Sequence, residues 1–236
     1  MILTKTRLFF LIFLSLNLSS TTPLFGQEAA QYLSDEQIEK LKLVVPPPPI
    51  PGSHEFNKDF EILHSFEKTR LEFQCKFADL EAPLNAPQPF VEPAGPLTLE
   101  EFNNWKSFSD QIYLSVSRVL DGVKNKYKRA RPYITDQTLK PCVALKDSNS
   151  YPSGHATMGE LFGRILAKAY PKRRAMFLKR GKQYGVDRYL GGVHHPSDVK
   201  AGQSLGDQIF AELMRSSEFK KKLKELSSLS HDPNVN

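Results

Sequence analysis

One short stretch, Asn149–His155, combines reactive side chains with the turn that would present them. It reads Asn-Ser-Tyr-Pro-Ser-Gly-His, and an apolar pattern of helical spacing follows it. A helix that begins here offers free backbone N–H groups and a partial positive charge, which hold anions well. Ser153 adds a hydroxyl, and His155 adds a group that titrates near neutral pH. The stretch alone fits an anion or catalytic site, and equally an ordinary capped helix with an incidental histidine.

Two basic residues, Lys124 and Arg131, precede that turn and stand seven positions apart. Seven positions are about two helical turns, so both side chains can point to the same side. Cations placed together in this way would neutralise an anionic substrate. Both residues also belong to a basic run over residues 124–131, and such a run is often no more than a solvated surface.

A third group contains Arg188, His194 and Asp198. The spacing from His194 to Asp198 is about one helical turn, so the carboxylate can take the Nδ1 proton and leave Nε2 free as a nucleophile. The adjacent His195 has the same carboxylate three positions ahead, so spacing alone leaves the choice between the two histidines open. A hydrogen bond at a helix start, without chemistry, is the alternative interpretation.

Together the three groups supply what is needed to hold a phosphate and attack it. Lysine and arginine neutralise its oxygens, one histidine attacks phosphorus, and the other gives a proton to the leaving oxygen. The sequence shows no cluster of carboxylates suited to a divalent metal. This pattern favours phosphoryl transfer without a metal or another cofactor.

The elements that must position these residues are predicted to be helices. We find neither convincing β alternation nor an internal repeat, so the sequence predicts an all-α fold. The proline-rich residues 46–52 are predicted to be extended chain, with irregular connections over 82–96 and 133–151. Caps, prolines and apolar periodicity place helices over approximate residues 34–43, 53–71, 98–128, 155–169, 172–190, 196–213 and 217–226.

The first 26 residues differ from the rest of the chain. Two basic residues precede an apolar run, Leu8–Leu18, that is too short to span a bilayer, and small residues follow. This pattern predicts a cleaved export signal over 1–26, with a membrane anchor as the alternative. The remainder is predicted to form an N-terminal helix and proline-rich segment over 27–52 and one helical catalytic domain over 53–236.

Charge and cysteine content limit the class of protein further. The 236 residues contain 32 Lys and Arg against 26 Asp and Glu, a net charge of +6 that suits an acidic substrate but does not indicate nucleic acid as a dedicated partner. Cys75 and Cys142 are the only cysteines. In an exported protein such a pair is often a disulfide, and two separate buried thiols are the alternative. No histidines stand at zinc-ligand spacing around them.

The patterns K-x6-R-P, P-S-G-H and R-x5-H-x3-D occur here in that order. They resemble the signature of the phosphatidic acid phosphatase type 2 and vanadium haloperoxidase superfamily. The mature chain is most similar to the bacterial class A non-specific acid phosphatases, including their proline-rich N-terminal segment. The resemblance implies a central helical bundle and hydrolysis of small phosphomonoesters in the periplasm, with no membrane anchor once the signal is cleaved.

The same resemblance implies a role for each site residue. His194 would be the nucleophile in preference to His195, Asp198 its orienting partner, and His155 the general acid. Five residues would bind the phosphate: Lys124, Arg131, Ser153, Gly154 and Arg188. One departure is visible, because Asp187 stands where the family usually has serine. Its carboxylate could pair with Arg188 and weaken substrate binding, or it could point outward.

Three other functions compete with an acid phosphatase. A vanadate-dependent haloperoxidase would use the same pocket, but the short chain and the termini disfavour it. A lipid phosphatase is disfavoured by the lack of membrane helices. A non-enzymatic binding protein with an inactive pocket is disfavoured by the intact histidines. The sequence names neither the physiological substrate nor the oligomeric state.

Overall fold

A computed structural model describes residues 32–84 and 88–229, and its regular structure there is helical apart from an isolated bridge between Val91 and Leu97. The predicted all-α fold is confirmed. The proposed export signal, 1–26, lies outside the described residues. The helices are α1 (Asp35–Leu43), α2 (His54–Thr69), α3 (Glu72–Leu80), α4 (Leu99–Tyr127), α5 (Pro132–Thr135), α6 (Gly154–Ala169), α7 (Arg174–Leu190), α8 (Pro196–Leu213) and α9 (Ser217–Ser228).

Several helices begin where the sequence places a cap. Ser34, Ser53 and Thr98 each accept a hydrogen bond from the third backbone N–H of α1, α2 and α4, respectively. Such bonds satisfy N–H groups that have no partner inside the helix. The cap of α9 is Ser216 rather than the predicted Ser217.

The structure breaks the predicted helix over 53–71 into two. Helix α2 ends at Thr69, Arg70 is extended, and α3 begins at Glu72. The Arg70 guanidinium donates to the carbonyl oxygen of Leu190 at 2.8 Å, which ties the extended residue between α2 and α3 to the end of α7. The predicted connection over 133–151 likewise contains the end of a short helix, α5, which a proline opens.

Lys124 and Arg131 meet on the same side, as expected, but not through two continuous turns of one helix. Helix α4 ends at Tyr127, and Lys128 adopts a left-handed conformation with φ 46°. A residue in this conformation ends a helix and reverses the chain. The two cations therefore reach the same site from either side of a turn.

Helix α6 lies between α7 and α8 and is buried along most of its length. Glycines make this close packing possible. A Cβ atom on Gly181 would collide with the carbonyl oxygen of Gly159, and one on Gly202 would lie 2.5 Å from the carbonyl oxygen of Ser153. The start of α6, which carries His155, is therefore fixed against both neighbouring helices.

The N-terminal segment packs onto the same core. Ile38 and Leu41 of α1 are buried together with residues of α4, α6 and α9. The hydroxyl groups of Tyr127 and Tyr151 donate to the carbonyl oxygens of Val45 and Pro46, both at 2.8 Å. The proline-rich segment thus lies across the body of the protein, next to the turn that precedes α6.

The structure joins Cys75 to Cys142, with Cα atoms 5.6 Å apart. The bridge ties α3 to the connection that leads towards α6. Within the described part of the chain, no helix is both long and apolar enough to cross a bilayer.

Candidate active site

The turn formed by Gly191 and Gly192 places His194 two positions before the start of α8 at Pro196. Gly192 has φ +80°, which strongly favours glycine. His194 is 2% exposed, and its Nδ1 lies 3.2 Å from Asp198 Oδ2. Its Nε2 lies 2.8 Å from Arg131 Nη1. Because the guanidinium can only donate, Nε2 is the acceptor and Nδ1 carries the proton.

Asp198 reaches His194, four positions earlier, because it caps the start of α8, and not because both residues lie on one helical turn. His195 is the N-cap of α8, so His194 lies before the helix begins. The Asp198 carboxylate, at the third position of α8, reaches back to accept the backbone N–H of His195 at 2.9 Å. This capping geometry turns Oδ2 towards both histidine rings.

The two histidines occupy different surroundings. His195 Nδ1 also lies 3.2 Å from Asp198 Oδ2, but its ring packs against Phe60 and Phe56, at centroid distances of 5.4 and 6.5 Å. His195 Nε2 is buried and has no hydrogen-bond partner among residues 32–84 and 88–229. Only His194 directs Nε2 at a cation, a distinction that the spacing in the sequence could not make.

Asp198 is completely buried and strongly hydrogen-bonded. The Ser150 hydroxyl donates to Oδ2, and Arg129 Nη1 donates to Oδ1 at 2.6 Å. Burial alone would raise the pKa of Asp198, but the bonds to His194 and His195 and the charge of Arg129 hold it well below its usual range. The carboxylate is therefore ionised and fixed in orientation.

The cations of the K-x6-R-P motif, Lys124 and Arg131, converge on this histidine. Arg131 donates from Nε to the carbonyl oxygen of Ser148 at 2.8 Å and from Nη1 to that of Val193 at 2.7 Å. Lys124 Nζ donates to the carbonyl oxygen of Asn149. Burial, with the charge of Arg131 as the next cause, lowers the pKa of Lys124 to about 8. The lysine is thus still charged in acidic solution.

The turn before α6 has the predicted geometry. Ser153 is the N-cap of α6, its hydroxyl accepts the N–H of Ala156 at 3.3 Å, and its own N–H donates to the carbonyl oxygen of Asp198 at 3.0 Å. This last bond joins the starts of α6 and α8. The backbone N–H groups of the α6 N-terminus, including that of Gly154, lie at the positive end of the helix dipole.

His155 is 9% exposed, and its Nε2 lies 3.2 Å from the carbonyl oxygen of Ala82. Since a carbonyl oxygen only accepts, Nε2 bears a hydrogen. Burial lowers the pKa of His155 well below its usual value, and the charges of Arg188 and His194 lower it further. The ring lies against that of Tyr184, with centroids 5.1 Å apart and the two planes inclined by 60°.

Arg188 lies beneath a segment that sequence reasoning did not assign to the site. Its Nη2 donates to the carbonyl oxygen of Ala78 and lies 3.9 Å from Glu81 Oε2. Together with the bond from His155 to the carbonyl oxygen of Ala82, these contacts place residues 78–82 over the site. No pattern in the sequence indicated this, because the contacts use backbone carbonyls and one carboxylate far from the motifs.

Asp187 follows neither of its two predicted arrangements. It is 4% exposed, so it does not point outward. Its Oδ1 accepts from Gln183 at 2.8 Å, and its Oδ2 lies 3.7 Å from Arg180 Nη1. The ion-pair partner of Asp187 is therefore Arg180 rather than Arg188, and Arg180 is also paired with Glu81.

Arg129 and Asp59 are further site residues that the sequence did not reveal. The sequence is compatible with a solvated basic run over 124–131. In the structure, however, the Arg129 side chain is 8% exposed and contacts Asp198. Asp59 is 70 positions earlier and pairs with Arg129 at 2.9 Å. Among residues 32–84 and 88–229, no group of three or more His, Cys, Asp or Glu side chains is placed to hold a metal ion.

A family model of the PAP2 superfamily matches residues 112–221, a range that contains every residue of the three motifs. The chain is 30% identical over 207 residues to the non-specific acid phosphatase of Providencia stuartii, with 82% of each chain covered. The chain therefore belongs to the PAP2 superfamily.

Within that superfamily it is similar to proteins named as acid phosphatases. It is 31% identical over 134 residues to the non-specific acid phosphatase of Salmonella typhimurium, covering 55% of this chain and 54% of that one. It is 36% identical over 121 residues to the acid phosphatase of Zymomonas mobilis, covering 47% of this chain and 46% of that one. The chain thus spans about half the length of these two relatives and most of the Providencia protein.

Proposed function

We propose that this protein is an exported acid phosphatase that hydrolyses small phosphomonoesters through a phosphohistidine intermediate and without a metal ion. The observation that carries the proposal is the position of His194, whose Nδ1 is held by Asp198 while Nε2 meets Arg131 at 2.8 Å. A nucleophile with an orienting carboxylate behind it and a cation in front suits attack on a bound phosphate.

In the first step, His194 Nε2 forms a bond to phosphorus as the bond to the leaving oxygen breaks. His155 gives its proton to that oxygen, and the alcohol departs. In the second step, neutral His155 takes a proton from water, whose oxygen attacks phosphorus and releases His194. Phosphate leaves, and both histidines return to their starting forms. Asp198 keeps the His194 ring oriented throughout.

The cations hold the phosphoryl oxygens during transfer. Arg131 and Arg188 are buried beside the two histidines, and Lys124 adds a third charge. The Ser153 hydroxyl, which accepts from Ala156 and still has a hydrogen to donate, and the backbone N–H of Gly154 supply further donors at the start of α6. Charge neutralisation by pre-positioned donors stabilises the transition state because no reorganisation is needed as charge develops.

Substrate must displace residues 78–82 at least in part. Phosphate at Arg188 would compete with the Glu81 carboxylate and the Ala78 carbonyl, and a leaving oxygen at His155 would compete with Ala82. A small outward movement of this segment would admit the phosphate group. The disulfide at Cys75, three positions before this segment, limits how far the segment can move.

The first experiment is rapid quenching with radiolabelled phosphomonoester. We expect an acid-labile, alkali-stable phosphoenzyme from the wild type and from His54→Ala, a matched variant of an exposed histidine. His194→Ala should form none and should lose turnover. Phosphohistidine that persists in His194→Ala would contradict the assignment and direct attention to His195.

Four further measurements test the remaining parts of the proposal. Activity should survive a chelator of divalent metals, and orthovanadate should inhibit competitively because it mimics five-coordinate phosphorus. Loss of activity in chelator that magnesium or zinc restores would exclude the mechanism. Bromide oxidation with vanadate and peroxide, in the absence of phosphatase activity, would instead indicate a haloperoxidase. N-terminal sequencing of protein recovered from the periplasm tests the export signal.

A further inference from the structure

A buried ion pair between Arg129 and Asp59, neither of them a defining position of the motifs, holds the oxygen of Asp198 that does not contact His194. Asp198 Oδ2 accepts from His194, His195 and Ser150, whereas Oδ1 accepts from Arg129 Nη1 at 2.6 Å. With one oxygen anchored by a guanidinium, the other cannot rotate away from the catalytic imidazole.

Arg129 is itself anchored by a second carboxylate. Its Nη2 donates to Asp59 Oδ2 at 2.9 Å, and its Nη1 also donates to the Ser197 hydroxyl at 2.7 Å. Asp59 accepts the backbone N–H of Ser197 at 2.9 Å, in the first turn of α8. The side chains of Arg129, Asp59 and Asp198 are 8, 5 and 0% exposed, so water screens these charges little.

The charge balance of this network affects His194. Without Asp59, the positive charge of Arg129 would weaken the electrostatic effect of the Asp198 carboxylate on the His194 imidazole. Asp59 offsets part of that effect, because it neutralises the guanidinium from its far side. Other charged or titratable groups face the pair of His194 and Asp198 from the surrounding elements. They include Lys124 on α4, Arg131 before α5, Tyr151 before α6, His155 on α6 and His195 before α8, and Arg188 on α7 acts on His155.

We infer that Asp59 and Arg129 act as paired positioning residues, which orient Asp198 and set how strongly it retains a proton on His194. The inference rests on the proposed function of His194 as nucleophile. A purely structural ion pair is the alternative, since buried salt bridges often contribute little to net stability.

The variants Asp59→Asn and Arg129→Gln each remove one charge. They separate these alternatives because they change the electrostatic potential at His194 in opposite directions. Asp59→Asn removes a negative charge and should lower the pKa of His194. Arg129→Gln removes a positive charge and should raise it. In each variant we expect kcat for p-nitrophenyl phosphate to fall about 10- to 100-fold, as when a partner that orients an active-site group is lost. KM should change little, since neither residue reaches the phosphate ligands.

The measurements are the pH profile of kcat/KM and the titration of the His194 ring by ¹⁵N NMR. The NMR signal is assigned by its loss in His194→Asn. The double variant, Asp59→Asn with Arg129→Gln, should return the His194 titration towards that of the wild type. If Arg129→Gln does not fold, Arg129→Lys keeps the charge and should lower kcat without moving the titration.

Two controls test for a merely structural effect. Leu63→Ala removes a buried apolar side chain from α2, the helix that carries Asp59, and should lower stability without moving the His194 titration. Asp110→Asn removes the charge of an exposed aspartate and should change nothing. Shifts of the same sign in Asp59→Asn and Arg129→Gln, or a Leu63→Ala profile equal to that of Asp59→Asn, would overturn the inference. If the wild type lacked phosphatase activity, the proposed function would fail, and the NMR titrations would still decide whether the pair controls His194.

Discussion

His155 illustrates how a single buried side chain sets the pH range of the proposed reaction. Its pKa is lowered by burial and by the charge of Arg188, so the free protein holds it neutral down to acidic pH. A bound phosphate would offset the charge of Arg188 and raise the pKa of His155 again. The general acid should therefore become charged when substrate arrives. This coupling predicts that the alkaline limb of the kcat profile lies at higher pH than that of kcat/KM.

Replacement of His155 should have an effect that depends on the leaving group. An alkoxide is strongly basic and needs a proton on departure, whereas a nitrophenolate does not. General acid catalysis commonly contributes about 10²- to 10⁴-fold, so His155→Ala should lose most of this on alkyl phosphates and clearly less on aryl phosphates. Steady-state rates on both substrate types provide the measurement. Equal losses on both would show that His155 is not the acid.

At the scale of elements, the packing of α6 against α7 depends on glycine. Gly181→Ala would place a methyl group against the carbonyl oxygen of Gly159, which belongs to the backbone of α6 and cannot move away alone. We expect a loss of about 1–3 kcal/mol in the free energy of unfolding, typical of overpacked cores, together with reduced kcat because the start of α6 shifts.

The matched control for this substitution is Gly122→Ala on α4. The three atoms nearest to a Cβ there all belong to the side chain of Lys42, with Cε at 2.5 Å, and that flexible side chain can move. Because alanine favours a helix over glycine by about 1 kcal/mol, this variant should be neutral or more stable. Urea unfolding of both variants gives the comparison. A Gly181→Ala protein as stable as Gly122→Ala would show that the helices do not pack as closely as described.

At the scale of the whole molecule, the disulfide joins parts of the chain that are 67 positions apart. Closing a loop of this length in the unfolded chain is worth roughly 3–5 kcal/mol in the loop-entropy model. The variant with both Cys75→Ser and Cys142→Ser should unfold at correspondingly lower denaturant. Two free thiols in wild-type protein that is unfolded without reductant would contradict the bridge.

The buried histidines also make the stability of the whole protein depend on pH. Burial lowers the pKa values of both His155 and His194 well below that of an unfolded chain, about 6.5. Below that pH the unfolded chain binds protons that the folded protein does not, so stability should fall as pH decreases. The slope is about 1.4 kcal/mol per pH unit for each histidine.

Urea unfolding between about pH 7 and pH 5 measures this slope. His155→Asn should remove about half of it. His64 acts in the opposite direction, because its hydrogen bond to Asp136 raises its pKa, but its side chain is 34% exposed and its contribution is screened. A stability curve that is flat or rises towards acidic pH would contradict the burial of the two site histidines in neutral form.

The sequence by itself determined the helical class, most helix starts and the residues of the three motifs. These features depend on local chemistry: caps bond to the next turn, apolar residues repeat at helical spacing, and the motif residues are close in sequence within each group.

Tertiary structure alone decided that Lys128 turns the chain between Lys124 and Arg131, that residues 78–82 cover Arg188 and His155, and that Asp187 pairs with Arg180. It also decided that Asp59 reaches Asp198 through Arg129. The contacts of residues 78–82 and of Asp59 join residues far apart in the chain, and whether they form depends on how closely the glycine-bearing helices approach, a property that no local pattern encodes.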